Sequence, residues 1–294
     1  MQRILVLRGG ALGDFIVTLP ALAALRHQAP AAHIELAGNA SAAALALTRG
    51  LINAVHSQHE ARWSSLYESA PLPVDFATWL ASFDVILNFW PDLDADLAHH
   101  FPLHSAQTFF TAPAQPTCAP AAAHYCALLR GLGIATTTFF YCLAGRSASL
   151  ITRRVAIHPG SGSPKKNWPL ERWLELATWL RSAHHAELLI ITGEAESSAT
   201  CLAFAPLGTA AHQLPLEILI RELSTCRLFL GHDSGISHLA AACSIPSLLF
   251  FGPSDPTIWA PPAPHVQRLK SSSSVASISL ATAQTAISSL LTNV

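Results

Sequence analysis

The segment Gly231–His238 contains residues that could bind a negatively charged ligand. Asp233, Ser234 and Gly235 stand there between an apolar run and a run of alanines, which predicts the end of a strand and the start of a helix. The free N–H groups of a first helical turn, together with the helix dipole, favour an anion such as a diphosphate. Asp233 would order the loop, accept hydrogen bonds from a sugar, or act simply as an N-cap. His238 is most simply a packed or capping histidine.

A second candidate segment, His158–Pro169, contains Ser161, Lys165 and Lys166 among glycines and prolines. Backbone N–H groups and ammonium groups that follow a strand in this way can contact an oxyanion together. The spacing is not that of a Walker loop, G-x-x-x-x-G-K-[ST]. The structural alternative is a solvated loop with two surface lysines.

The turn Arg8–Asp14 contributes Gly10, Gly13 and a carboxylate, Asp14, directly after the first apolar run. In an open α/β sheet such a turn lies at the carboxyl edge, where ligands bind. Asp14 could therefore act on a ligand, although aspartate is also a frequent helix cap. The G-G-x-x-G spacing, and the absence of an acidic residue at the end of the second predicted strand, disfavour a nicotinamide enzyme.

Alternating strands and helices must position these turns, and the alternation predicts parallel sheets covered on both faces. In the first half the predicted strands are Arg3–Leu7, His33–Ala37, Ala54–His56 and Phe83–Phe89, and the predicted helices are Thr18–His27, Ala40–Arg49 and Tyr125–Leu132. The stretch 103–120, rich in proline, threonine and alanine, predicts a loop. The small and polar stretch Cys142–Arg153 predicts a linker.

The second half repeats the pattern, so we predict two open α/β domains over residues 1–150 and 151–294. Its predicted strands are Val155–His158, Glu187–Thr192, Leu228–Leu230 and Ser247–Phe251, and its predicted helices are Leu170–Ser182, Ala195–Phe204, Pro215–Thr225 and Gly235–Ala242. Helical spacing predicts a terminal helix over about 276–291. Packing of this helix back on the first domain is one arrangement open to it.

The composition narrows the class of protein. Of 294 residues, 12% are charged and 51% apolar, yet no apolar stretch is long enough for a membrane span. Arg8 and Asp14 interrupt the opening apolar run, so we expect folded structure there and a cytoplasmic protein. A net charge of −1 argues against sequence-independent binding of nucleic acid. Six cysteines without a C-x-x-C pair indicate neither a zinc site nor a disulfide framework.

Taken together, the segments from Arg3 to about Trp259 resemble glycosyltransferase family 9, the ADP-heptose:lipopolysaccharide heptosyltransferases. Four motifs carry the resemblance in order along the chain, which makes it far more specific than any one of them. They are G-x-x-G-D at Gly10–Asp14, T-x-P-x-x-x-x-L-R at Thr18–Arg26, H-P-G-S…K-x-W-P at His158–Pro169, and D-[ST]-G-x-S-H…G-P-[ST]-D-P at Asp233–Pro256.

The resemblance implies a GT-B fold, in which two Rossmann-like domains with parallel sheets face each other across a cleft. It implies that the first domain binds the acceptor and the second the nucleotide-sugar donor, with inversion at the anomeric carbon and no metal or cofactor. Asp14 would be the general base, and Lys166 would neutralise the departing diphosphate. Gly10 and Gly13 would form the acceptor-side loop.

The same resemblance implies that Ser234 and Gly235 hold the phosphates and that Asp233 binds the hydroxyls of the donor sugar. Glu196 would lie near the nucleotide ribose, with Glu194 as a competing match. The implied donor-binding set is Ser161, Lys165, Glu196, Asp233, Ser234, Gly235 and His238.

The implied partners are an ADP-sugar donor and a lipid-linked or core oligosaccharide acceptor. A lipid-linked acceptor would bring the protein to the inner face of the cytoplasmic membrane, in peripheral contact. The first half departs from the family pattern because it is poor in lysine and arginine, which leaves the acceptor and the heptose open. Two alternatives are a sugar-nucleotide epimerase of the same fold and a non-catalytic relative that binds a nucleotide sugar.

Overall fold

A computed structural model describes residues 2–145, 149, 151–272 and 274–292. The chain divides into two compact units, Met1–Tyr141 and Cys142–Val294. Within the predicted linker Cys142–Arg153, positions 146–148 and 150 lie outside the described residues.

Five strands of the first unit's described residues form a parallel sheet in the order β3-β2-β1-β4-β5. Because the chain leaves β1 towards β2 on one side and later returns to β4 on the other, the topological switch lies between β1 and β4. The strands are β1 (Arg3–Arg8), β2 (His33–Gly38), β3 (Ala54–Ser57), β4 (Val85–Asn88) and β5 (Thr108–Thr111); the helices are α1 (Leu12–Ile16), α2 (Leu19–Gln28), α3 (Ala40–Leu47), α4 (Val74–Ala81) and α5 (Ala121–Leu128).

The core of the first unit follows from the burial of β1 on both faces. Leu5 and Leu7 lie on one face, in a cluster with Trp63, Phe76 and Phe83, while the alternate residues of the strand are also buried. A strand that is buried on both faces has a continuous apolar sequence, as β1 does. Short 3₁₀ turns over 61–67, 98–100 and 129–132 complete this unit.

Six strands of the second unit's described residues form a second parallel sheet, in the order β11-β10-β9-β6-β7-β8, with its switch between β6 and β9. The strands are β6 (Arg154–Ile157), β7 (Glu187–Thr192), β8 (Thr209–His212), β9 (Leu228–His232), β10 (Ser247–Phe251) and β11 (Val266–Lys270); the helices are α6 (Leu170–His184), α7 (Ser198–Phe204), α8 (Leu216–Ser224), α9 (Gly235–Ala242), α10 (Pro256–Trp259) and α11 (Leu280–Thr292).

Helix α6 shows how the second core is assembled. Trp173, Leu176, Ala177 and Leu180 recur at helical spacing and are all buried, so one stripe of the helix faces the sheet. Each large side chain buried in this way contributes roughly 1.5–3 kcal/mol. Helix α11 packs on α6 within the same unit, and the chain before it is held by Trp168, whose Nε1 donates to the Ile278 carbonyl at 2.9 Å.

The predicted α/β class with two parallel sheets is confirmed. Helix α9 and strand β10 have the predicted bounds, whereas the prediction of a loop over 103–120 is wrong because it contains β5. This strand is a four-residue edge without a fully buried residue, so it lacks the apolar run that marks β1. No helix in the described part of the chain has both the length and the apolar character of a membrane span.

The end of β2 yields a stability prediction. Gly38 pairs with Arg8 across the two strands, and a Cβ at Gly38 would overlap the Arg8 carbonyl. Gly38→Ala should therefore lower the free energy of unfolding by about 1–3 kcal/mol, measured by urea unfolding. Gly162→Ala is the control, because a Cβ there meets nothing within 4 Å; equal midpoints for the two variants would contradict the packing described.

Candidate active site

The two predicted donor-side segments meet at the switch point of the second sheet. One follows β6 and begins at His158; the other follows β9 and begins at Asp233. Since β6 and β9 are hydrogen-bonded neighbours, their carboxyl ends bring the two loops side by side, in the crevice where open α/β sheets bind ligands.

His232, the last residue of β9, connects the two loops. Its ring is fully buried; Nε2 accepts from the Trp168 backbone N–H at 2.8 Å, and Nδ1 lies 3.3 Å from the Gly160 carbonyl. Because Nε2 accepts, Nδ1 carries the proton and donates to Gly160. Burial lowers the pKa of His232 to about 3, so the ring is neutral and acts as a bridge, a role that the sequence analysis missed.

Three polar side chains from separate loops form a cluster next to this bridge. The Ser234 hydroxyl lies 3.2 Å from Nδ1 of His158, whose Nε2 lies 3.4 Å from Oε1 of Glu196. The Glu196 side chain is 2% exposed and accepts from the Gly193 N–H at 2.5 Å. Burial raises the pKa of Glu196, but the contacts with His158 and Gly193 outweigh it and the net pKa is lowered. A charged carboxylate is thus held just beyond the carboxyl end of β7. The competing residue, Glu194, is exposed.

The start of α9 is capped by Ser234, whose Oγ accepts from the Ser237 N–H at 3.4 Å. The N-cap role considered for Asp233 is therefore wrong, because the cap lies one residue later. Gly235 is the first residue of the helix, and His238 is buried in its first turns. The N–H groups at this helix end favour an anionic ligand.

Asp233 instead forms an ion pair with Lys166, whose Nζ lies 2.6 Å from Oδ2. The Lys166 side chain, which ends a short 3₁₀ turn over 164–166, is 33% exposed, and that of Asp233 is 8% exposed. The buried carboxylate thus fixes a partly accessible ammonium group beside the start of α9. An ammonium group held in this way can stabilise negative charge on a ligand.

The other predicted residues of this loop lie differently. Ser161 is buried, and its Oγ lies 2.8 Å from the Ser163 carbonyl and 2.7 Å from Asn167 Oδ1. Ser161 therefore holds the loop together. Lys165 is exposed, and no ion pair to it occurs among the described residues.

In the first unit, Asp14 is the third residue of α1. Its Oδ2 accepts from the Ala11 N–H at 3.0 Å, so the carboxylate caps the helix from inside rather than from the N-cap position. The side chain is 32% exposed. Gly10, with a φ of +105°, lies so close that a Cβ there would be 2.7 Å from Oδ2; Gly13 lies within α1 itself.

Arg8 fixes the backbone beneath Asp14. Its guanidinium is buried and donates to the Asp14 carbonyl at 2.9 Å, to Thr18 Oγ1 at 3.0 Å and to the Tyr125 hydroxyl at 2.9 Å. The Thr18 hydroxyl in turn donates to the same carbonyl at 2.9 Å. These contacts hold the carboxylate at the carboxyl edge of β1, at the switch point of the first sheet.

Comparison with known proteins identifies the family. The model for glycosyltransferase family 9 (heptosyltransferase) matches residues 135–284, about half of the chain. The chain belongs to this family. A comparison with curated proteins finds no match.

The fold of this family 9 glycosyltransferase is similar to solved structures along its whole length, which shows the GT-B fold. A glycosyl transferase family 9 structure from Veillonella parvula is 20% identical, with a TM-score of 0.79 and coverage of 100% of this chain and 98% of that chain. E. coli heptosyltransferase WaaC with ADP is 17% identical, with a TM-score of 0.75 and coverage of 98% and 100%. E. coli ADP-heptose lps heptosyltransferase II is 17% identical, with a TM-score of 0.76 and coverage of 100% and 99%.

The His232 bridge predicts a pH dependence of stability. The pKa of His232 is 6.5 in an unfolded chain and about 3 in the folded one, so the contribution of this residue to the free energy of unfolding is constant above pH 6.5 and falls as the pH drops from 6.5 towards 3. The slope from this one residue approaches about 1.4 kcal/mol per pH unit. His232→Gln should remove it, measured by urea unfolding between about pH 7 and about pH 5.

In this window Glu196 and Glu35 contribute little slope, because their lowered pKa values act only below the ordinary value of 4.5. His100 and His184, whose pKa values are lowered from 6.5, add slope of the same sign to the wild type and to the variant alike. His27→Gln, at an exposed position, is the control and should keep the wild-type slope. If His232→Gln loses as much stability as the wild type between these pH values, the buried ring is not the cause.

Proposed function

We propose that this glycosyltransferase moves a heptose or a related sugar from an ADP-sugar to a lipopolysaccharide core or similar saccharide acceptor. The observation that carries the proposal is the ammonium group of Lys166, fixed by Asp233 beside the capped start of α9. An ADP donor is further supported by similar E. coli structures, named as heptosyltransferase WaaC with ADP and with ADP-2-deoxy-2-fluoro heptose.

In the proposed reaction the second unit holds the leaving group. The diphosphate lies against the N–H groups at Ser234 and Gly235, and Lys166 neutralises the charge that grows as the sugar–oxygen bond breaks. This protein-supplied cation makes a metal ion unnecessary at the diphosphate. Asp233 keeps Lys166 in place and accepts hydrogen bonds from the donor sugar.

The remaining nucleotide contacts fall on the neighbouring loops. We assign the ribose to Glu196 rather than Glu194, because Glu196 is drawn into the cluster with His158 and Ser234. Its charged carboxylate suits the paired hydroxyls of a ribose, since both can donate to it. His238 and Ser161, both buried, complete the proposed donor-binding set.

Asp14 is the proposed general base. Its carboxylate takes the proton from an acceptor hydroxyl as the hydroxyl oxygen attacks the anomeric carbon from the face opposite the diphosphate. The new glycosidic bond forms as the bond to the diphosphate breaks, so ADP leaves and the configuration inverts. With a lipid-linked acceptor, we propose that the enzyme works in the cytoplasm at the inner membrane face.

Asp14→Asn tests the base directly. The amide keeps an oxygen that can accept from Ala11 but cannot take a proton, so kcat should fall at least about 100-fold while ADP still binds. Transfer is measured with purified protein, ADP-heptose and an acceptor panel. Asp75→Asn, the same change in the first turn of α4, is the control, and turnover by Asp14→Asn at the control's rate would reject the assignment.

A donor-only incubation, followed by NMR, accompanies this assay. An isomerised nucleotide sugar would indicate an epimerase, and ADP binding without turnover on any acceptor would indicate a binding protein. Either result would replace the proposed transfer reaction.

Lys166 and Lys165 form a matched pair for the leaving-group role. Lys166→Ala should lower kcat by about 100-fold and weaken ADP binding, because the ammonium group beside α9 is lost and Asp233 is left unpaired. Lys165→Ala should change neither, since its side chain faces solvent. The measurements are steady-state kinetics and calorimetric ADP titration; the reverse pattern would transfer the phosphate contact to Lys165.

A further inference from the structure

A pocket of about 460 Å³ opens at the carboxyl edge of the first sheet. It lies among the residues that follow β3 and β4. Its lining includes Gln58, Glu60, Trp63, Tyr67, Trp90 and Pro91.

The aromatic walls of this pocket are held in fixed orientations. Tyr67 is 42% exposed, yet its hydroxyl donates to the Pro91 carbonyl at 3.0 Å. The indole of Trp63 donates to the Ser57 carbonyl at 2.8 Å and meets Trp90 edge to face, with 5.1 Å between ring centroids. The pocket therefore offers a preformed aromatic surface, which suits the apolar C–H face of a sugar ring.

The charges of the pocket oppose an anionic ligand. The lining contains the Glu60 carboxylate, the exposed imidazole of His59 and no lysine or arginine. The nearest cation along the chain, Arg62, is occupied by Glu60 at 2.8 Å and by the ring of Trp79 at 4.4 Å. Burial and the Asp92 carboxylate raise the pKa of Tyr67, so a second negative charge acts on this edge. A phosphate placed here would face the Glu60 carboxylate with no lysine or arginine of the lining to pair with.

The composition of the first unit agrees with this local balance. Its 141 residues contain six arginines, no lysine and nine acidic residues, a net charge of −3. Arg3 is paired with Glu35, and Arg8 is buried under Asp14. Basic residues that could hold a phosphorylated saccharide are therefore scarce throughout this unit.

The pocket adjoins the proposed base through Gly10. Gln58 of the lining accepts from the Gly10 N–H at 3.1 Å, and a Cβ at Gly10 would lie 2.7 Å from Oδ2 of Asp14. Trp90 reaches the same turn, since its Nε1 would lie 3.2 Å from a Cβ at Gly9. No acceptor for the Nε1–H group of Trp90 occurs among the described residues, so this group is available to a ligand hydroxyl.

We propose that this pocket binds an uncharged sugar ring of the acceptor, stacked on Tyr67 with its hydroxyls towards Gln58, Glu60 and Trp90, and presents a hydroxyl to Asp14. The inference rests on the proposed function and narrows its acceptor to a neutral saccharide unit. Recognition is by ring stacking and hydroxyl hydrogen bonds rather than by phosphate pairing.

The test is saturation-transfer NMR on the full chain. The neutral probes are the methyl glycosides of glucose, galactose and N-acetylglucosamine, and the anionic probe is glucose 6-phosphate. We expect the wild type to bind at least one neutral glycoside and to prefer it to the phosphate. Tyr67→Ala should weaken that binding about fivefold or more, whereas Tyr67→Phe, which keeps the ring, should retain it.

Val74→Ala, an exposed apolar residue at the start of α4, is the control and should bind as the wild type does. Preference for glucose 6-phosphate, no binding of any neutral probe, or unchanged binding by Tyr67→Ala would each overturn the inference. Calorimetric ADP titration of the same samples separates the two proposals. ADP binding without neutral glycoside binding rejects the pocket alone, and glycoside binding without ADP binding rejects the proposed donor.

Discussion

The candidate donor site depends on a buried imidazole that does not ionise. His232 accepts a hydrogen bond from Trp168 with one nitrogen and donates to Gly160 with the other, so it fixes both ends of the loop that carries Lys166. Protonation would turn Nε2 into a donor facing a donor, and burial suppresses this by lowering the pKa to about 3. The position of the Lys166 ammonium group therefore depends on which nitrogen of the neutral His232 ring carries the proton.

Both units place a carboxylate against a glycine at the carboxyl edge of their sheets. In the second unit a Cβ at Gly160 would overlap Oε1 of Glu196, and in the first a Cβ at Gly10 would crowd Oδ2 of Asp14. A side chain at either glycine would displace the carboxylate. Glycine is therefore needed after β1 and β6 to leave room for the acidic side chain as well as to form the turn.

The sequence predicted those parts of the fold that are determined locally. Buried strands such as β10 are continuous apolar runs, and α9 begins at a glycine followed by a run of alanines, so their bounds followed from pattern alone; the cap considered for α9, Asp233, was one residue too early. Strands β5, β8 and β11 were not predicted, because edge strands with exposed residues lack that run. These segments form strands because they pair with a neighbouring strand that is distant in the sequence, and such pairing cannot be seen in a local sequence pattern.

The same distinction applies to the candidate site. Lys166 and Asp233 were recognised from their motifs, but their ion pair joins positions 67 residues apart. The role of His232 was missed because its partners lie 64 and 72 residues away. Motifs therefore predicted which residues belong to the candidate site, whereas the interactions that orient them depend on strand order, which places β6 beside β9.

Charge divides the chemistry between the two units. Residues 142–294 contain eleven lysines and arginines and nine acidic residues, a net charge of +2, against −3 for residues 1–141. All three lysines, including Lys165 and Lys166, belong to the second unit. A nucleotide diphosphate is negatively charged, so it is suited to the unit that has a positive net charge and the N-terminal end of α9. The first unit offers aromatic rings and carboxylates instead, which suit a ligand that brings hydroxyls and no charge.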